Sequence, residues 1–397
     1  MRNWPMINVA GGPVEVPPRT LRDLSSPTLY HYDPTFIELY ERTLGLLQRV
    51  FQTKNDVVIM QGEAILGLEA AAACMINPGD RVLNLVSGVF GKWFEDFITK
   101  YGGEVVSLEV PYNDAVEPDD VRKALREHRD IKFLSVVHSE TPSGTVNPVK
   151  HICPIAKEYG VVTIVDTVSG LGGEALIPEE WGVDLAIAGP QKCLSGPPGL
   201  CLLSVSPDAW KAMENRRPSL RGSYLSILDY KFAWNDRRFP FTPFVNEVYA
   251  LESALTQVLE EGVGNYAARH ATIAKACRAG VKALGLELWA AREQVAGNAV
   301  TAVTMPKGLS DKQLRGHMRD RYGVMISGGY GVLAGQLFRL GHMGMAAHPT
   351  YLAAQMAILE RTLLDLGQRV ELGAGVGAAM AALDGWDDSS RRQSGSH

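Results

Sequence analysis

Asp184-Leu-Ala-Ile-Ala-Gly-Pro-Gln-Lys192-Cys-Leu-Ser-Gly-Pro-Pro-Gly199 begins as a short apolar run suited to a buried strand and breaks at Gly189-Pro190. It then sets one lysine ahead of a loop built from Gly196, Pro197, Pro198 and Gly199. An ammonium at the end of a buried strand is costly unless it is paired or used. Such a lysine either snorkels to solvent along its aliphatic stem, or titrates low enough to act as a nucleophile or base. This stretch alone leaves both readings open.

Outward from it, strands and helices alternate. Apolar runs at 57–60, 81–86, 105–110, 132–138, 161–166, 185–188 and 200–205 read as strands. Patterns at 34–51, 64–75, 90–101, 118–128 and 150–159 read as helices between them. This rhythm predicts an α/β fold, a mostly parallel sheet sandwiched by helices. In such sheets ligands gather at the carboxyl ends of the strands. Glu63, Ser87, His138 to Ser143, Asp166 and Lys192 all fall there.

Beyond Tyr224 the rhythm changes. A loop, Phe239-Pro-Phe-Thr-Pro-Phe244, leads to helices at 246–261 and 266–284, then strands at 299–304 and 323–326 and helices at 310–322 and 350–367. The expected division is an N-terminal arm over 1–20, a large α/β domain over 21–262, a smaller α+β domain over 263–385 and a disordered tail over 386–397. The arm, with Gly11-Gly12-Pro13 and Pro17-Pro18, reads as too rich in glycine and proline for a regular element.

Composition removes several classes. A net charge of −5 without a dense Lys/Arg cluster gives no electrostatic case for nucleic acid. No apolar run reaches membrane-spanning length and the start lacks a signal-peptide pattern, so no membrane partner and a cytoplasmic location are expected. Five scattered cysteines without metal-ligand spacing argue against a metal site.

Asp166 ends one strand candidate and Lys192 follows another, 192 − 166 = 26 residues on. A carboxylate and a lysine at neighbouring strand ends are what a pyridine-ring cofactor needs. The acid keeps the ring nitrogen protonated, and the lysine carries the aldehyde as a Schiff base. A plain ion pair satisfies the same spacing, which leaves the choice open.

The residues around both positions resemble the fold-type I, class V aminotransferases, in the group containing alanine–glyoxylate, serine–glyoxylate and pyridoxamine–pyruvate aminotransferases. Val165-Asp166-Thr-Val-Ser169, Gly189-Pro-Gln-Lys192 with Pro197-Pro-Gly199, His138-Ser-Glu-Thr-Pro-Ser-Gly144 and Arg339-Leu-Gly-His-Met-Gly344 look like that group's motifs, in the same order, over about residues 8 to 380. The resemblance implies the fold-type I large domain, with Lys192 as the Schiff-base lysine and Asp166 on the pyridine nitrogen. It implies that Phe90 stacks on the ring, that Thr141 and Ser143 lie near it, and that Arg339 grips the substrate carboxylate. Gln191 and Thr242 resemble residues that help bind a phosphate.

Gln61-Gly62-Glu63-Ala64 departs from the phosphate-binding pattern, which has a small hydroxyl residue at the start of this helix. A carboxylate there opposes phosphate and suits an uncharged hydroxymethyl group, although a glutamate in a first helical turn is also ordinarily favourable. The pyridoxamine-using branch of the group has a similar Gly-Glu pair. Phe239 stands where phosphate-binding relatives look to have a tyrosine, and Tyr330 where an arginine helps hold the keto acid. The expected activity is transfer of the amino group of pyridoxamine to pyruvate, giving pyridoxal and L-alanine, with the vitamer a substrate held on Lys192. The alternatives are an alanine or serine–glyoxylate aminotransferase with resident pyridoxal 5′-phosphate, or a pyridoxal-dependent lyase on the same scaffold. The resemblance implies small-molecule partners (pyridoxamine, pyruvate or a related keto acid, an amino acid) and a homodimer or dimer of dimers.

Overall fold

A strand covered on both faces must carry apolar side chains on both, and Leu185–Ala188 does. Leu185 and Ile187 pack in one layer with the helices Ala64–Met75 and Val89–Lys100, whereas Ala186 and Ala188 pack in the other with Pro34–Phe51, Val149–Glu158 and Val245–Glu261. In the computed structural model, which describes residues 5–383 and Trp386, this strand lies inside a seven-stranded sheet. The order is Asp56–Gln61, Leu200–Val205, Leu185–Ala188, Val162–Asp166, Ile131–Val137, Arg81–Val86 and Glu104–Glu109. Leu200–Val205 runs antiparallel to both neighbours and every other pair is parallel. The mostly parallel sheet expected from the alternation is therefore present.

Helix Pro34–Phe51 starts as its sequence dictates. Asp33 accepts a hydrogen bond from Thr35 N–H at 2.8 Å, Pro34 occupies the first turn, and Phe36, Tyr40, Leu47 and Val50 line its buried stripe. Helix Ala64–Met75 is different, because Ala64, Gly67, Leu68 and every residue from Ala70 to Met75 are buried. Its small side chains let it lie close on the sheet. A methyl group at Gly67 would stand 2.2 Å from Cys201 Sγ and 2.9 Å from Ile187 Cγ2. This contact fixes the start of the helix, and hence Glu63, beside the ends of two central strands.

A second body follows the long helix Val263–Ala283. Val300–Thr304, Leu337–Gly341 and Ser327–Gly328 form an antiparallel sheet. Phe338 and Leu340 share a core with Cys277, Met318, Met356 and Leu359 from the surrounding helices. The strand Leu337–Gly341 carries Arg339 and is not among the predicted strands, since a central arginine interrupts its apolar run. Val324–Met325 does not join this sheet. It pairs in parallel with Ile7–Asn8.

That pairing corrects the reading of the N-terminal segment as free of regular structure. Besides Ile7–Asn8, a helix spans Pro18–Leu24, starting on the very proline read as a breaker. A first-turn proline costs no hydrogen bond because its N–H would have no helical partner. The helices Pro207–Asn215, Ile227–Asn235 and Ala374–Ala381 also lie outside the predicted set. The expected disordered tail, apart from Trp386, lies outside the described residues. Among the described residues no helix is long and apolar enough to cross a membrane.

Replacing Gly67 by alanine should overpack the helix–sheet contact and lower stability by about 1–3 kcal/mol, seen as a lower urea midpoint. An unchanged midpoint would show that this helix does not depend on the close approach.

Candidate active site

The strand Val162–Asp166 ends with its last side chain still buried, and Val168 N–H donates to Asp166 Oδ1 at 2.9 Å. The loop after Leu185–Ala188 turns sharply. Gly196 N–H bonds Pro190 O and Ser195 N–H bonds Lys192 O, so Lys192 points back toward the strand ends. Tyr266 clamps the loop from outside, its hydroxyl donating to Cys193 O at 2.8 Å.

Asp166 and Lys192 meet at one cavity of about 280 Å³, which Glu63, Phe90, Gln191 and Tyr330 also line. Six of the predicted site residues are thus brought together. Arg339 and Thr141 stand just behind them. Arg339 donates from Nη1 to Thr141 O at 3.0 Å and from Nε to Gly328 O at 2.8 Å, while the Thr141 hydroxyl bonds Ser169, itself in the lining.

The other two predicted residues are not in this group. The Ser143 hydroxyl is engaged within its own turn, with Thr145 Oγ1 at 2.8 Å and Glu140 O at 3.3 Å. Thr242 is exposed on the 239–244 loop and does not line the cavity of its own chain. Phe239 packs among Tyr32, Phe36, Tyr40 and Trp234.

The N-terminal segment supplies a wall that sequence reading missed. Lys192 Nζ donates to Gly11 O at 2.7 Å, Gly11 N–H donates to Ser327 Oγ at 2.7 Å, and Pro13 lines the cavity. Gly12 has φ +99°, and a methyl group there would lie 2.6 Å from the lysine nitrogen. Glycine is required on both counts. The available signal was the cluster Gly11-Gly12-Pro13, since consecutive glycines often mark close approach of a backbone to another group.

The charges temper one another. Burial brings the Lys192 amine down to about 8, helped by the Arg339 charge and opposed by Asp166 and Glu63. Burial also pushes the Asp166 carboxyl up to about 6, against the Val168 N–H and the lysine charge. At neutral pH Asp166 is therefore ionised, and a useful fraction of Lys192 is the free amine. Arg339, lowered by burial to about 10, stays cationic.

A planar aromatic ring fits this donor set. Phe90 and Val168 offer apolar faces, Asp166 a buried carboxylate for a protonated ring nitrogen, and Lys192 an amine for a carbonyl carbon. Among the described residues no group of three or more His, Cys, Asp or Glu could hold a metal ion.

Sheet order, buried strand-end acid and enclosed lysine define a fold-type I aminotransferase. The chain belongs to the class-V aminotransferases, whose family model matches residues 24–346. A pyridoxamine–pyruvate transaminase from Mesorhizobium japonicum is 44% identical over 381 residues, covering 96% of this chain and 97% of that one. The crystal structure of pyridoxamine–pyruvate aminotransferase from Mesorhizobium loti superposes with a TM-score of 0.94 over 96% of this chain and 98% of that one. A serine–glyoxylate aminotransferase from Methylorubrum extorquens is 31% identical over 94% of each chain.

Gly12→Ala should abolish covalent capture of an aldehyde by Lys192 and, because φ +99° strains alanine, also lower the melting temperature while leaving the protein folded at assay temperature. Normal capture, measured by borohydride trapping and mass spectrometry, would show that the strap does not press on the amine.

Proposed function

We propose that this aminotransferase takes pyridoxamine as a substrate and passes its amino group to pyruvate, releasing pyridoxal and L-alanine. The observation that carries this reading is Glu63. It precedes the first residue of helix Ala64–Met75, faces the cavity, and makes no capping bond to its own helix. A carboxylate left uncommitted at the helix start where relatives bind phosphate repels a second anion. Glu63 is exposed in the single chain, so solvent screens this repulsion, but it still works against a second anion at the same helix start. A hydroxymethyl O–H instead donates to it. The Gln191 amide stands at the same end, since it and Ala64 both press on Gly189.

When bound, the pyridine ring supplies the electron sink for proton removal at the carbon bearing nitrogen. Asp166 holds the proton on the ring nitrogen, and Phe90 bears against the ring face. The neutral Lys192 amine would attack the aldehyde carbon of pyridoxal, the carbonyl oxygen leaving as water, and once released from that carbon it would carry the proton between the carbons of donor and acceptor. Arg339 holds the carboxylate of pyruvate and of alanine in a two-pronged grip. Among the described residues the lining adds no second arginine, Tyr330 being uncharged, which suits an acceptor with the single carboxylate that Arg339 takes. The same reading takes the chain as a homodimer in which Thr242 serves the cavity of a second copy.

One observation favours a second reading, a glyoxylate aminotransferase with resident pyridoxal phosphate. Gln191 and Thr242 match phosphate-binding positions, and serine–glyoxylate relatives cover almost the whole chain.

Purified protein given pyridoxamine and pyruvate should yield equal amounts of pyridoxal and alanine. Tightly held phosphorylated vitamer and no pyridoxal would overturn the first reading in favour of the second. Glu63→Ser should weaken pyridoxamine use by about tenfold or more, the equivalent of one charge-assisted hydrogen bond, and improve tolerance of the phosphorylated vitamer. No change in either would show that Glu63 is only a helix-start residue. Because Lys192 loses its proton near 8, the rate at which vitamer-free protein captures pyridoxal should rise with pH and level off above about 8. A flat profile in stopped-flow absorbance between pH 6 and 9 would contradict this.

A further inference from the structure

Glu140 is fully buried and is not part of the machinery described above. It sits on the hairpin strand Ser139–Glu140, between Ser139, which lines the cavity, and Thr141, which receives Arg339. Its carboxylate spans to another element. Oε1 accepts from Gly91 N–H at 2.7 Å and Oε2 from Phe90 N–H at 3.3 Å, in the first turn of helix Val89–Lys100.

That helix has no cap of its own. Gly88 at its start offers no side chain, and the first turn contains no acid. Gly88 is extended, at φ −178°, a conformation open to any residue, so its glycine answers a need for room. A methyl group there would lie 2.4 Å from Glu140 Cδ. The backbone thus leaves a gap that the carboxylate of a distant hairpin fills. Burial pushes this carboxyl up to about 8, against the pull of the two N–H donors, so its enclosure is not offset by a cationic partner. Phe90 follows the same backbone into the cavity, its ring centroid 6.0 Å from Tyr330 and 6.3 Å from Trp93.

We propose that Glu140 is a positioning residue: by clamping the N–H groups of Phe90 and Gly91 it sets the height and tilt of the Phe90 ring, the wall against which the vitamer ring lies. This rests on the reading that the cavity takes a vitamin B6 ring. It assigns Glu140 no contact with substrate. Loss of the clamp should harm recognition of the vitamer and spare recognition of the keto acid, which Arg339 holds.

Glu140→Gln keeps the size but can offer only one acceptor oxygen to the two donors. KM for pyridoxamine and the dissociation constant of pyridoxal, from equilibrium absorbance titration, should both rise about fivefold, the loss of about one neutral hydrogen bond. KM for pyruvate should change less than about twofold, and the visible circular dichroism of bound pyridoxal should weaken. Gly88→Ala, which expels the carboxylate, should reproduce this pattern and serves if Glu140→Gln does not accumulate. In a Phe90→Leu background, Glu140→Gln should add little to the pyridoxal dissociation constant, because the two changes act through one ring. Equal losses for both substrates, full additivity with Phe90→Leu, or a lowered melting temperature with unchanged vitamer binding would each overturn the proposal. If wild-type protein binds only the phosphorylated vitamer, the pyridoxamine reading fails, and the same cycle run on that vitamer still decides the role of Glu140.

Discussion

The Lys192 amine is withheld from water at a strand end, and the structure around it follows from the cost of burying that charge. Its nitrogen rests on a single backbone acceptor, Gly11 O, under a glycine with no room for a side chain. Burial, and after it the Arg339 charge, push its pKa down, and two carboxylates pull it back, leaving it near 8. Of these charged neighbours, Glu63 also acts on Asp166, so their effects on the lysine are not separable.

The constraint binds the two bodies of the chain together. Val9 lies in the core of the C-terminal body, the Val9 carbonyl accepts from Gly341 N–H, and Ile7–Asn8 pairs with Val324–Met325. Gly11 and Gly12 then cross to the lysine on the central sheet. The first residues of the protein therefore act as a strap. Its geometry is set by one body and its effect is felt in the other. Arg339 reaches across in the same manner, from the C-terminal sheet to Thr141 on the large-sheet side.

The second organising feature is the use of helix starts. Helix Ala64–Met75 lies tight on the sheet through Gly67 and presents Glu63, whereas helix Val89–Lys100 borrows its cap from Glu140 and presents Phe90. Both carboxyl groups stand at the N-terminal end of a helix. Glu63 turns its side chain to the cavity, and Glu140 is consumed in holding backbone. This difference leaves the first open to whatever occupies the cavity and fixes the second within the wall.

Much of this was legible in the residues themselves. The alternation of apolar runs gave the sheet and most of its helices, because burial on two faces leaves a continuous apolar signature. Asp166, Lys192, Glu63, Phe90, Gln191 and Tyr330 could be nominated because strand ends and the family's motifs point to them. What the chain could not declare is which distant segments close on those ends. The Gly11–Pro13 strap, the strand carrying Arg339 and the carboxylate of Glu140 are 181, 147 and 52 residues from Lys192 by subtraction of their numbers (192 − 11, 339 − 192, 192 − 140). Local periodicity reports only what a residue does within its own element. Whether Gly12 presses on an amine, or Glu140 caps a helix fifty residues away, is decided by packing, where a missing methyl group or a buried carboxylate acquires meaning only from the atoms opposite it.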